Sequence, residues 1–344
     1  MSRGAGAFVV HGPPCPVPRL RRRDVRTSPA PFARTRTALG LLFALSTTSA
    51  VGCLAHHDAI PADAPADARW IALRGVKTRF VDDPPHAEAG PAAEKATPAL
   101  LLHGFAASLD TWTGVRAALR SQRRVLALDF KGFGYSARPA GDYSPDEQAR
   151  LALALLDARG VAKVQLVGHS WGSAVALALA RLAPERVERI ALYDAWVFEA
   201  QLPPFFLWAR APGVGEALFA LIYQQRAEDR LQLAFYAPER VPQQLVDHAL
   251  AGIERPGTTA AHLAAVRGQR LGDAEPGYAR IAAPVLLLWG REDRVTPLRY
   301  GERLLRLLPT GKLRVYPRCG HFPMLEATAE STRDLLAFLG EERA

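Results

Sequence analysis

The stretch Lys163 to Ala183, KVQLVGHSWGSAVALALARLA, limits the possible folds more than any other part of the chain. Val164, Leu166 and Val167 form a short apolar run, the pattern of a strand buried on both faces. Ala174 to Ala183 is rich in alanine and leucine and reads as a helix. Between them stands Gly168-His169-Ser170-Trp171-Gly172. A serine between two glycines at a strand-to-helix junction has a physical rationale. The turn is too tight for side chains on its flanks, and it lifts the serine hydroxyl above the sheet edge. The helix that begins there points its free N–H groups at charge developing nearby. As a bare string G-x-S-x-G says little; the strand before it and the helix after it give it meaning.

Other segments repeat the pattern. Trp70 to Asp82 alternates around Gly75 and predicts a β-hairpin. Buried strands are expected at Ala99–Leu102, Arg124–Leu128, Val187–Tyr193, Pro284–Trp289 and Lys312–Tyr316. Asp83 to Pro98 reads as a polar connection. Ser144-Pro145-Asp146-Glu147 is a capping box with proline in the first helical position, and it opens a helix that Gly160 stops. Buried strands alternating with amphipathic helices imply an α/β fold, a mostly parallel central sheet flanked by helices. From Trp196 to about Arg280 strand signals vanish and aromatic-rich helical pieces take over, such as Pro203-Pro204-Phe205-Phe206-Leu207-Trp208. The expected layout is thus a core over residues 69–196 and 281–344, with a helical cap over 197–280 inserted before the last two strands.

Ligands of such a sheet belong at the carboxyl ends of its strands, and so do the polar motifs. An acyl-transfer site needs a nucleophile, a base, a group to orient the base, and donors for the oxyanion. Ser170 fits the nucleophile, His321 in the loop after the last strand fits the base, and Asp293 after the preceding strand fits its orienter. The backbone N–H groups of Phe105 and Trp171 fit the oxyanion hole. In order and spacing, His103-Gly104-Phe105, Asp129 to Ser136, Gly168 to Gly172, Gly290 to Asp293 and Gly320-His321 resemble the serine hydrolases of the α/β-hydrolase fold. The resemblance runs from about Trp70 to the end. It implies catalysis without cofactor or metal.

Several neighbours have rival roles. His169 and His103 are expected to shape the turn and the oxyanion loop rather than to move protons. Glu292 is the alternative orienter, Asp129 a turn-fixing or reserve acid, and Glu326 a helix cap. His248 and His262, in the cap, are expected at the surface.

The amino terminus reads as an export signal over residues 1–52. Its arginines end at Arg36, and an uncharged segment with Leu39-Gly40-Leu41-Leu42-Phe43-Ala44-Leu45 at its heart follows. Ser49-Ala50-Val51-Gly52-Cys53 resembles the lipobox of bacterial lipoproteins, with Ala50 where leucine is usual. The resemblance implies Cys53 as a lipid anchor and a membrane-tethered protein on the periplasmic or cell-surface side. A cleaved signal with a secreted product and an uncleaved anchor are the alternatives. Residues 53–68, rich in Pro, Ala and Asp, form a linker. The net charge of +9 resides mostly in this leader, where eight arginines meet one acid. The remainder is close to neutral, which argues against nucleic acid as a partner. Cys15, Cys53 and Cys319 give no disulfide framework.

The expected activity is hydrolysis of a small-molecule carboxylic ester with an apolar acyl or aryl group, through an acyl-enzyme. The same fold also supports C–C bond hydrolysis of meta-cleavage products and cofactor-free haloperoxidase or perhydrolase chemistry. A binding protein on this scaffold is the non-enzymatic alternative.

Overall fold

A computed structural model describes residues 63–223 and 227–341. The export signal, Cys53 and the linker up to residue 62 lie outside the described residues. Strands β1 (Arg69–Leu73), β2 (Val76–Asp83), β3 (Ala99–Leu102), β4 (Val125–Leu128), β5 (Val164–His169), β6 (Val187–Tyr193), β7 (Val285–Gly290) and β8 (Gly311–Tyr316) form one sheet. Their order is β1-β2-β4-β3-β5-β6-β7-β8. β1 and β2 pair antiparallel, as do β2 and β4; every pairing from β4 to β8 is parallel. The hairpin turn places Arg74 and Gly75 at φ 48° and 81°, the left-handed pair whose twist suits a two-residue loop.

The two-residue period of the strands explains the two apolar layers. In β3, Leu100 and Leu102 face the helices Pro145–Ala158 and Trp171–Leu182, joining Leu151, Leu155, Val175 and Leu179. Leu101 faces the other way, toward Val115 and Leu119 of the helix Thr113–Leu119 and Leu335 and Phe338 of Thr328–Gly340. A sheet covered on both faces needs strands apolar at every position, and β3, β4, β5 and β7 are buried throughout.

The helix Pro145–Ala158 begins at Ser144, whose hydroxyl accepts the Glu147 amide at 3.3 Å. Ser144→Ala is expected to cost about 1 kcal/mol, readable as a lower midpoint of urea unfolding with an unchanged slope. One connection differs from expectation. Within the polar stretch 83–98 lies a helix, Gly90–Lys95, started by Pro91 in its first turn and closed by Lys95 in its last.

Between β6 and β7 run the helices Pro204–Ala209, Val214–Leu218, Ala227–Ala234, Gln243–Ile253 and Thr258–Gly268, with no strand among the described residues there. They hold together through aromatic stacking: Phe219 lies 4.4 Å from Tyr223 and 5.5 Å from Phe205, ring centre to centre. Two struts join this helical layer to the loops at the carboxyl ends of the strands. The half-buried Arg138 donates to Thr258 Oγ1 and to the carbonyls of Gly252, Ser136 and Gly134. On the other side, the Ala234 carbonyl accepts the His321 amide at 2.7 Å, and Glu326 accepts the Tyr236 amide at 2.8 Å.

Candidate active site

β5 ends at His169, and the helix Trp171–Leu182 begins one residue later. Only Ser170 separates them. It adopts φ 51° and ψ −123°, a conformation that L-residues avoid. Such strain persists only where the surroundings impose it, and here they do. A Cβ on Gly172 would stand 2.2 Å from the Leu102 carbonyl oxygen, and one on Gly168 would stand 2.9 Å from that of Gly172. The turn is therefore wedged between its own helix and the end of β3. The loop after β3 passes just as closely, since a Cβ on Gly104 would lie 3.3 Å from Ser170 Cβ. Among the described residues the amides of Phe105 and Trp171 donate to no protein acceptor.

Asp293 and His321 meet as the sequence predicts. His321 Nδ1 lies 2.8 Å from Asp293 Oδ2, and both side chains are buried. Asp293 is held from all sides. Its Oδ1 accepts the amides of Val295 at 2.7 Å and Thr296 at 2.9 Å, while Oδ2 also accepts the Thr296 hydroxyl at 2.5 Å. Burial alone would raise its pKa, but the His321 and Thr296 contacts outweigh it and hold the carboxyl below the usual carboxylate range. Glu292, the other candidate orienter, instead accepts the Cys319 amide at 3.0 Å and braces the loop.

The elbow and the His321 loop touch through His169. Its Nε2–H donates to the His321 carbonyl at 2.8 Å, and the two rings lie 4.9 Å apart, centre to centre. Ser170 is 4% exposed, and its backbone is held by its amide donating to the Tyr193 carbonyl and its carbonyl accepting the Ser173 and Trp196 amides. A hydroxyl-to-imidazole contact at such a site often tightens only when a substrate is seated.

His103, like His169, is a structural support. His103 donates Nδ1–H to the Gly104 carbonyl at 2.8 Å and accepts the Phe130 amide on Nε2 at 3.0 Å, which fixes the neutral tautomer. Burial lowers its pKa to about 4, and that of His169 to about 3. A buried neutral histidine costs stability once the unfolded chain can bind the proton, so the penalty starts below pH 6.5 and grows until the folded value is reached. The stability advantage of the wild type over His103→Asn is expected to shrink by roughly 3 kcal/mol between pH 6.5 and 4. Urea titrations at several pH values measure it.

Two expectations need correction. His262 is not at the surface: it is buried, stacked 4.5 Å from Phe133, and its Nδ1 accepts the Tyr223 hydroxyl at 2.7 Å. A flat ring with a satisfied nitrogen packs as well as a phenyl group, so an inward face of Thr258–Gly268 accommodates it. Glu326 does not cap the last helix; its carboxylate gathers the amides of Gly320, Phe322 and Tyr236 around the His321 loop. Asp129 takes the turn-fixing role expected of it, accepting the amides of Leu109 and Tyr135 at 2.8 Å each. Sequence reasoning also passed over Asp194 and Thr296. Asp194 directly follows β6, and its place at the carboxyl end of a strand was the available signal.

The family model for the alpha/beta hydrolase fold matches residues 97–328, a span that holds Ser170, Asp293 and His321 together with the cap. The chain belongs to the α/β-hydrolase family. Among curated relatives of this family, a 2-hydroxymuconate semialdehyde hydrolase of Pseudomonas putida is 32% identical over 83% of this chain and 98% of its own length. The dihydrolipoyllysine-residue acetyltransferase component of the acetoin cleaving system of Pseudomonas putida is 34% identical over 72% of this chain, which spans only 64% of that protein. Of solved α/β-hydrolase structures, the meta-cleavage product hydrolase CumD of Pseudomonas fluorescens IP01 superposes with a TM-score of 0.64 at 25% identity, covering 78% of this chain and 96% of that one. The protein is a hydrolase of this fold.

Proposed function

We propose that this hydrolase cleaves a carbon–carbon bond next to a ketone in a meta-cleavage-type dienone acid, with Ser170, His321 and Asp293 as its catalytic residues. The observation that carries the choice of bond is the near full-length similarity to a relative named for hydrolysis of 2-hydroxymuconate semialdehyde. Ser170 Oγ attacks the ketone carbonyl while His321 takes its proton, and Asp293 stabilises the imidazolium. The Phe105 and Trp171 amides receive the negative oxygen. Collapse of the adduct expels a carbon leaving group whose charge is spread over the conjugated acid, and that carbon takes the proton back from His321. Water, deprotonated by His321, then releases the acyl group from Ser170 and restores the hydroxyl.

Ester hydrolysis is the second reading, and one observation favours it. A dienone acid carries a carboxylate that needs a cation, yet the half-buried Arg138 and the buried Arg79 are already engaged, Arg138 by Thr258 and three carbonyls, Arg79 by Asp110. The same serine chemistry then acts on an ester with an alkoxide or phenoxide leaving group. Purified protein lacking the first 52 residues, offered dienone acids and p-nitrophenyl esters of several chain lengths, separates the two. Loss of the dienone chromophore with kcat/KM above that for every ester supports C–C hydrolysis; turnover of esters alone overturns it. The export signal and the acylated Cys53 remain part of the proposal, and mass spectrometry of the native amino terminus tests them.

A further inference from the structure

Asp194 is a carboxyl group without an evident task. It is fully buried, at the end of β6, with φ 43°. Its Oδ1 accepts the Gly290 amide at 2.9 Å, and its Oδ2, equally buried, has no hydrogen-bond donor. Oxygens of Asp194 and Asp293 and a ring nitrogen of His321 all lie within 4.8 Å of one another. Thr296 ties the two acids together, giving its hydroxyl to Asp293 and lying 3.1 Å from the Asp194 carbonyl.

Two carboxylates this close in a dry site do not both ionise. The single proton goes to the group with fewer donors. Asp293 has four, from Val295, from Thr296 twice and from His321; Asp194 has one. We infer that Asp194 is a neutral carboxylic acid that donates its Oδ2 proton to Asp293, a fifth donor that positions the His321 partner and fixes which acid carries the charge. Burial, and next the charge of Asp293, push the Asp194 pKa well above the ordinary value, in the same direction. The other titratable groups facing it are His321, Glu326, Tyr193 and the Cys319 thiol. Apart from His321 these can add only negative charge, which strengthens the case for a neutral Asp194.

This assignment rests on the catalytic roles proposed above, so it needs a test that does not depend on turnover. Difference infrared spectra of wild type against Asp194→Asn at neutral pH are expected to show a protonated carboxyl band that the variant lacks. No such band overturns the inference; a band in a protein that turns over no dienone acid and no ester sinks the catalytic roles instead. Kinetics give a second readout with a sign. Asparagine keeps an acceptor for Gly290 and offers an N–H to Asp293, so Asp194→Asn should retain the wild-type acid limb of the kcat/KM profile. Asp194→Ala removes the donor, leaves Asp293 more basic, and should lower kcat about 10-fold or more while moving the acid limb to higher pH. An ionised Asp194 gives the opposite: both variants remove a negative charge and move the limb to lower pH. That result, or an Asn variant as impaired as the Ala variant, overturns the inference. If Asp194→Ala fails to fold, the infrared band and the Asn profile still decide.

Discussion

Ser170→Ala is expected to lower kcat roughly 10^6-fold while leaving the folded protein intact. Ser170 is held through its backbone, its amide to Tyr193 and its carbonyl from Ser173 and Trp196, and alanine keeps these bonds. The turn is imposed by the contacts of Gly168 and Gly172 with backbone, and alanine meets the same φ of 51° that serine does. Folding and chemistry therefore separate at this position. Labelling by a fluorophosphonate probe should vanish with activity, while the circular dichroism spectrum and melting temperature stay at wild-type values. A variant that keeps its labelling would show that the nucleophile lies elsewhere.

Asp293→Asn should cost about 10^4-fold in kcat. The loss comes from geometry as much as from charge. The Oδ2 position accepts two donors, the Thr296 hydroxyl and His321 Nδ1–H, and the Oδ1 position accepts two amides. Whichever way the new amide turns, its NH2 meets donors. If it turns toward His321, the imidazole must present an unprotonated Nδ1, and Nε2 then carries the proton and cannot accept that of Ser170. Single-turnover kinetics measure the effect, with the wild-type fold checked by urea unfolding. A loss below about 10-fold would leave Asp293 outside the catalytic set.

The central sheet and the meeting of Asp293 with His321 were legible because both depend on local patterns that physics repeats. Strands apolar at every position announce a sheet covered on both faces, and Gly-His or Gly-x-x-Asp after such a strand places a polar group at its carboxyl end. The supports of the site were hidden because they are set by distance through space. Asp194 and Asp293 are 99 residues apart in the chain and neighbours in the fold, and nothing between them in sequence records the fact. His262 was misplaced for a similar reason: only the position of Phe133 and Tyr223 shows that a polar ring can turn inward. Which bond is cleaved was not legible at all. A ketone and an ester ask the same of serine, imidazole and carboxylate, and they differ only in what must be recognised beyond the reacting carbon.

The hydrogen bond from the His321 amide to Ala234, with its companion from Tyr236 to Glu326, ties the helical layer between β6 and β7 to the proposed base. A cap usually evolves freely, because its sequence changes substrate choice and leaves the machinery alone. At this one corner that freedom is forfeited: whatever reshapes the Ala234–Tyr236 segment to admit a new substrate also shifts the proposed base, so on that proposal specificity and rate are inherited together.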